Sequence, residues 1–343
     1  MNTSLIKKEN NREGLKIVMR ICTFFILPQF ISLAIATTAI TSEYLILENV
    51  EVPSFQNTLS YIAVFIMYSI FHFSRTKFLK TKGEQIFYFL KRKQTLYCFL
   101  LSILDVFANY MIVKAYQHAT ITTVQLLDTF IIPTVIVASI VILKTLYSWL
   151  HFLATFIAVF GMGMFVYANY LVIESGHNSV TGYVLTISAA VFYGLQNVNQ
   201  EKLLQNIGQC QYLTYTAFFS IIISSILTLS LESKKIQNID FHNSNTIMYL
   251  SIYVLSMGFL YSIIPIVLRN AGACVLNLNI LSSDVYSLLA GIYFFHNDFM
   301  YMHFIGFGII ILGILIFNIQ RTKQTINKKT VETPNEESSH LNV

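Results

Sequence analysis

Charged side chains are scarce in this sequence, and the scarcity excludes an ordinary water-soluble domain. Only 11% of the 343 residues are charged and 55% are hydrophobic, against about a quarter charged in a typical soluble domain. The net charge of +5 comes mainly from the basic stretch RTKFLKTKGEQIFYFLKRK. A basic segment between apolar runs typically sets topology and contacts anionic lipid. Membrane lipids are therefore the expected partners, and a nucleic-acid partner is not expected.

The sequence also lacks the residue patterns of metal sites and catalytic centres. No CxxC or CxxH spacing occurs, which excludes a zinc site and a disulfide framework. No GxSxG, HExxH or P-loop motif is present. We therefore expect no enzyme, no catalytic residues, no metal and no cofactor. The cysteines that the chain does have are scattered, at Cys22, Cys98, Cys210 and Cys274.

Long apolar runs fill most of the chain. A helix crosses a bilayer in about 17–25 apolar residues, and the period-two alternation of a membrane β-barrel is missing. Since lipid leaves helices or closed barrels as the only spanning structures, we predict an all-α polytopic membrane protein with ten transmembrane helices. The predicted spans are 17–40, 55–74, 94–114, 120–142, 148–170, 180–200, 211–231, 246–268, 272–294 and 300–319.

The distribution of basic residues predicts the orientation of these spans. With both termini in the cytosol, 19 of the 22 lysines and arginines fall on the inner side, as the positive-inside rule requires. Only Lys114, Lys234 and Lys235 fall on the other side. The polar tails, residues 1–14 and 321–343, are expected to be disordered.

The two halves of the chain resemble each other weakly. An offset of 152 residues without gaps aligns 144–165 with 296–317, so that Gly161 meets Gly313 and His151 meets His303. Two halves of five spans each, residues 15–171 and 180–320, would lie upside-down relative to one another. Inverted repeats of this kind are typical of transporters, whose substrate site lies where the halves meet. The alternative is a coincidence of apolar composition.

Polar residues recur inside four of the predicted spans at helical spacing. An aspartate at a helix centre costs roughly 2.5–3.5 kcal/mol on insertion, so it usually faces a cavity or a partner. The alternative is that these groups only hydrogen-bond between helices. The tyrosines among them could stack a planar solute or simply pack. The candidate substrate-binding residues are Asp105, Asn109, Tyr116, Gln125, Asp128, Tyr193, Gln196, Asn197, Asn277, Asp284 and Tyr286.

The aspartates in the third and fourth predicted spans raise the question of coupling. A carboxylate in a cavity that alternates between two sides can take up a proton on one side and release it on the other. Passive exchange through the same cavity needs only polar contacts. Proton linkage through Asp105 and Asp128 and facilitated diffusion both stay open.

Three segments resemble a known family. ANYMIVKAYQHATITTVQLLDTFIIP (108–133), VFYGLQNVNQEKLL (191–204) and NLNILSSDVYSLLAGIYFF (277–295) are similar to subfamily F of the solute carrier 35 family, in the drug/metabolite transporter superfamily. The resemblance runs from about residue 15 to 320. It implies a ten-helix fold of two inverted five-helix repeats, alternating access, and nucleobase- or nucleoside-like cargo such as queuine and queuosine. One departure is Phe107, where the family tends to carry an acidic residue.

Two other functions stay open beside a transporter or facilitator of such a solute. One is a nucleotide-sugar antiporter of the Golgi or endoplasmic reticulum, which would need several cations for a diphosphate. The other is a non-transporting membrane scaffold. The expected location is the plasma membrane or an endomembrane of Golgi or endosomal type, and a second copy of the chain, in a homodimer, is a candidate partner.

Overall fold

The described part of the chain forms helices joined by turns and short loops. The computed structural model describes residues 26–78, 92–172, 180–283, 286–287, 293 and 301–331. In chain order the helices are α1 (Leu27–Leu47), α2 (Pro53–Phe78), α3 (Arg92–Ala115), α4 (Ile121–Asp128), α5 (Ile131–Leu143), α6 (Trp149–Val172), α7 (Val180–Leu204), α8 (Gln209–Leu227), α9 (Ser233–Gln237), α10 (Ser244–Ala271), α11 (Ala273–Ile280) and α12 (Tyr301–Val331), with a π-helical turn (Thr228–Glu232) between α8 and α9.

Four of these helical stretches are long and apolar enough to cross a bilayer. They are Leu27–Leu47, Lys93–Ala115, Gln209–Gln237 and Ser244–Ala271. Large apolar side chains point outward from the bundle, among them Phe156 at 68% exposure and Leu255 at 74%. Such an outer surface suits lipid rather than water. An all-helical membrane protein agrees with the composition, while the number of ten spans stays a prediction.

The fourth predicted span, 120–142, is not one continuous helix. The break lies at Thr129 and Phe130, between α4 and α5. Pro133 explains its position, because a proline has no N–H to bond the carbonyl four residues earlier and its ring crowds that carbonyl. At the break the backbone hydrogen bonds join residues three apart instead of four. The Phe130 N–H donates to the Leu127 oxygen at 3.1 Å, and the Ile132 N–H donates to the Thr129 oxygen at 3.0 Å.

The ninth predicted span, 272–294, is also interrupted. It begins at Gly272, whose φ of 86° lies in the left-handed region that a glycine enters without steric cost. The helix α11 then ends at Ile280, and the Leu281 N–H bonds the Leu278 oxygen at 3.3 Å in a turn. Both interruptions leave short helices with ends inside the bundle.

One helix start in the second half follows a start in the first half at the spacing of the sequence repeat. Ile121, the first residue of α4, and Ala273, the first residue of α11, are 152 positions apart, which is also the offset at which the sequence aligns with itself.

The helices α6 and α12 approach each other closely at two glycines. A Cβ added to Gly161 would lie 2.8 Å from the carbonyl oxygen of Gly306. A Cβ added to Gly313 would lie 2.8 Å from the carbonyl oxygen of Ala154 and the backbone nitrogen of Ala158. Small residues that let two backbones approach are typical of helix packing in membranes. Further pairs are α3 with α7, α1 with α10, and α2 with α8.

A buried glutamate closes the end of the bundle where α2 begins. The Glu232 carboxylate accepts hydrogen bonds from the Ser54 N–H at 2.8 Å and the Phe55 N–H at 3.0 Å. The first N–H groups of a helix have no partner in their own helix and carry a partial positive charge. Glu232 therefore caps α2 from the other half of the chain. By contrast, the nearby Lys235–Glu51 ion pair is about half exposed and contributes little.

The glycine contacts generate a stability prediction. Gly161→Val and Gly313→Val should each lower the melting temperature of the purified protein in detergent, because backbone atoms 2.8 Å away cannot give way as a flexible side chain would. Overpacking of this kind typically costs about 1–3 kcal/mol or more.

The matched controls are Gly163→Val and Gly308→Val, on the same two helices, where an added Cβ meets nothing within 4 Å. The control variants include the same cost of placing valine in a helix, so any further loss of stability in Gly161→Val or Gly313→Val comes from the close contact. If Gly161→Val melts at the temperature of Gly163→Val, the close approach of α6 and α12 is wrong.

Candidate functional site: a central polar cavity

A cavity lies between the two halves of the chain, with walls from α1, α3, α4, α5, α7, α10 and α11. The volume within which the centre of a water molecule can lie is about 160 Å³. That is on the order of ten times what one water needs. The space is therefore large enough for a small solute with its water. The polar residues on its wall are Thr38, Ser42, Asp105, Asn109, Tyr116, Asp128, Tyr193, Gln196, Asn197, Gln200, Tyr253, Tyr261, Asn277 and Ser283.

Asp105, in the middle of α3, is the centre of a hydrogen-bond network. Its Oδ2 accepts from the Tyr261 hydroxyl at 2.7 Å, and its Oδ1 accepts from the Gln196 amide at 3.0 Å. Both donors come from the second half of the chain, on α10 and α7. The carboxylate is only 6% exposed, and no basic residue in the described ranges forms an ion pair with it. Asp105 is thus held by neutral donors.

Asn109, one helical turn further along α3, extends this network to four helices. Its amide nitrogen lies 3.1 Å from the hydroxyl of Tyr61 on α2, 3.1 Å from the hydroxyl of Tyr261 and 2.9 Å from the Asp105 carbonyl oxygen. Its amide oxygen accepts from the Tyr193 hydroxyl on α7 at 2.9 Å. Linked hydrogen bonds in a low-dielectric interior strengthen one another. The network therefore fixes α2, α3, α7 and α10 around the cavity.

A second contact joins α7 to the interrupted helix α11. The Asn197 amide donates to Asn277 Oδ1 at 3.1 Å, and the Asn277 amide donates in turn to the Ala273 carbonyl of its own helix at 2.8 Å. Both asparagines are buried. The polar faces predicted separately for the sixth and ninth spans therefore meet.

Asp128 differs from Asp105 in having an oxygen without a partner. It is the last residue of α4, next to the break before α5. Its Oδ1 is buried, and no described residue hydrogen-bonds it. An ionised carboxylate oxygen in that situation is costly.

The structure brings most of the predicted site residues together. The eight that line the cavity are Asp105, Asn109, Tyr116, Asp128, Tyr193, Gln196, Asn197 and Asn277. The side chain of Gln125, and Asp284 as a whole, lie outside the described part of the chain. Tyr286 is not on the cavity wall that the structure describes. Its hydroxyl instead donates to Gln29 Oε1 on α1 at 3.1 Å.

The sequence-based selection missed the contribution of α10. Tyr253, Met257 and Tyr261 line the cavity and share one helix face, at spacings of four residues. The internal offset of 152 residues carried the signal, because it aligns Asp105 with Met257 and Asn109 with Tyr261. Tyrosine and methionine do not stand out in an apolar span, because there they usually only pack.

The chemistry of the wall favours some solutes over others. It carries two carboxylates, several amides and tyrosine hydroxyls, and among its described residues no lysine, arginine or histidine. Phosphate groups are normally bound by arginine or lysine. The cavity therefore suits a neutral or cationic solute better than a polyanion.

Comparison with known proteins gives one consistent answer. The family model described as solute carrier family 35 matches residues 17–319. Solute carrier family 35 member F2 of Mus musculus is 33% identical over 312 residues, covering 90% of this chain and 80% of the relative. Its counterpart in Xenopus tropicalis is 30% identical over 299 residues, covering 85% and 75%. A solved crystal structure with 11% identity aligns at a TM-score of 0.60, covering 84% of this chain and 98% of its own, and supports the fold alone.

The Asp105 network generates a second prediction. Tyr261→Phe removes the donor to Asp105 Oδ2 and one partner of Asn109, which leaves buried polar atoms unsatisfied. Such a loss costs about 1–3 kcal/mol, so we expect a lower melting temperature in detergent.

The matched control is Tyr97→Phe on α3, whose hydroxyl is 3.5 Å from Asn199 Oδ1 in an exposed contact. We expect it to melt like the wild type. An equal effect of the two substitutions would show that the Asp105 network does not stabilise the bundle.

Proposed function

This chain belongs to subfamily F of solute carrier family 35, and from that premise we propose that it is a secondary transporter or facilitator of a small organic solute. Membership of a solute carrier family favours transport over catalysis. The observation that carries the proposal is the central cavity, whose polar wall is contributed by helices from both halves of the chain. Substrate sites in transporters typically lie in such a position.

The cargo class follows from the wall of the cavity. Carboxylates, amides and tyrosines can hydrogen-bond the edge of a planar heterocycle while a ring packs on its face. Tyr116 and Tyr193 both line the cavity and are the candidates for such ring contacts. We propose a nucleobase- or nucleoside-like solute, of the queuine and queuosine class that the family resemblance implies.

Alternating access is the mechanism that we infer for this solute. It needs two related halves that rock around a fixed site. The 152-residue spacing of the starts of α4 and α11 supports two inverted five-helix repeats. The reciprocal close approach at Gly161 and Gly313, which the same offset aligns, supports them too. Both interrupted helices, α4 and α11, are related by this offset.

A nucleotide-sugar antiporter is the less favoured function. Its cargo carries a diphosphate, which needs cations that the described cavity wall does not offer. A scaffold without transport gives no reason for a cavity of about 160 Å³ lined by polar groups in the centre of the bundle. We further propose that both termini face the cytosol and that the protein resides in the plasma membrane or an endomembrane.

Uptake into proteoliposomes tests the proposal. The solutes are radiolabelled adenine, guanine, adenosine and queuine, with a uridine-diphosphate sugar as the comparison. We expect uptake of at least one of the nucleobase-like solutes and none of the sugar nucleotide. Preferential uptake of the sugar nucleotide would support the antiporter instead, and no uptake of any solute would contradict the proposal.

A matched pair of tryptophan substitutions on α10 connects uptake to the cavity. Ile264 lines the cavity, whereas Ile266, two residues further along, is 36% exposed on the outer surface. Ile264→Trp should obstruct the path and lower uptake on the order of tenfold, since a clash of about 1.4 kcal/mol already gives that factor. Ile266→Trp should transport like the wild type. Equal uptake by both variants would mean that solute does not pass through this cavity.

A further inference from the structure

The two carboxylates on the cavity wall differ in their hydrogen bonding. Both oxygens of Asp105 accept hydrogen bonds, from Tyr261 and from Gln196. Asp128 Oδ1 is also buried, yet no described residue donates to it. The sequence gives no reason for this difference, because both residues are aspartates in apolar spans.

The break between α4 and α5 explains why Asp128 Oδ1 has no described hydrogen-bond donor. As the last residue of α4, Asp128 sits where the helix stops ahead of Pro133. Its described neighbours on the cavity wall within these two helices are apolar, Val124 and Ile131. Two donors of the network on α7 bond other residues, since the Tyr193 hydroxyl donates to Asn109 and the Gln196 amide donates to Asp105.

A buried carboxylate oxygen without a donor is unfavourable, and a solute that brings a donor removes that cost. A positively charged nitrogen removes more of it, because a charge-assisted hydrogen bond is about twice as strong as a neutral one. No lysine, arginine or histidine belongs to the described wall of the cavity, so no described wall residue offers a cation that would compete for the position.

We propose that Asp128 is the recognition residue for a protonated amine on the solute, and that Asp105 is a positioning residue that holds the helices and does not bind cargo. This assignment rests on the proposed transport function and narrows its substrate class to planar solutes that carry an ammonium group. Asp128 then discriminates a cationic solute from its neutral isostere, while Asp105 contributes to the shape of the cavity.

The first test compares the two aspartates without any cargo. Asp105→Asn places an amide opposite two donors and should lower the melting temperature in detergent. Asp128→Asn removes the charge from a carboxylate whose Oδ1 has no described donor and should leave the melting temperature unchanged or raise it. An equal fall for both variants would overturn the division of roles, because it would show that Asp128 also holds the structure together.

The second test measures binding of a matched pair of probes by isothermal titration calorimetry. They are 9-(2-aminoethyl)adenine, which carries an ammonium, and 9-(2-hydroxyethyl)adenine, its neutral isostere. We expect the wild type to bind the amine about tenfold or more tightly than the alcohol, as a hydrogen bond to a charged group provides. Asp128→Asn should abolish this ratio, and Asp105→Asn should retain it in the folded fraction.

Each other result counts against the proposal. A wild type without preference for the amine, a ratio that survives Asp128→Asn, or no binding of either probe would overturn it. The proposed transport function is judged separately, because uptake of adenine or guanine, which are neutral near pH 7, into proteoliposomes does not require the ammonium contact. Uptake without amine preference would leave the transporter standing and remove only the role of Asp128.

Discussion

The hydrocarbon interior of a bilayer offers no hydrogen-bond partner, and this constraint organises the polar residues of the bundle. A polar group carried into that interior must find its partner inside the protein. Asp105 finds two, on α7 and α10, and Asn109 adds contacts to α2 and α7. The side chains that make these bonds lie between the helices and link them. The central cavity lies beside this network, with α3, α7 and α10 on its wall.

Helix ends within the bundle obey the same constraint. Glu232 accepts from the first N–H groups of α2, and Glu201 accepts from the Ala273 N–H at the start of α11 at 2.6 Å. In both cases a carboxylate meets the positive end of a helix. Where α4 ends, no described residue donates to Asp128 Oδ1. We propose that this oxygen, unlike those of Glu232 and Glu201, is left for the solute.

Sequence periodicity predicted the helices and several of the polar faces. The helix breaks and the long-range contacts could not be predicted from it, for physical reasons. Apolar runs gave the helices, and helical spacing gave the faces of α3 and α7 that meet at Asp105 and Gln196. The breaks were harder to predict, because a proline such as Pro133 can kink a membrane helix without ending it. Tyr261 escaped notice because a tyrosine in an apolar span usually packs, and its bond to Asp105 joins residues 156 positions apart. Pairings over such distances depend on tertiary packing, which local sequence does not encode.

The central claim is that solute passes through the cavity and that both sides of the membrane reach it in turn. The most direct measurement places a single cysteine at Ile112, on the cavity wall, in a variant without reactive native thiols. Membrane-impermeant thiol reagents are then applied from either side of oriented proteoliposomes. We expect labelling from both sides and protection by transported solute, while a cysteine at Ala158, fully buried against α12, stays unlabelled. Labelling of position 112 from one side only, unaffected by solute, would contradict alternating access through this cavity.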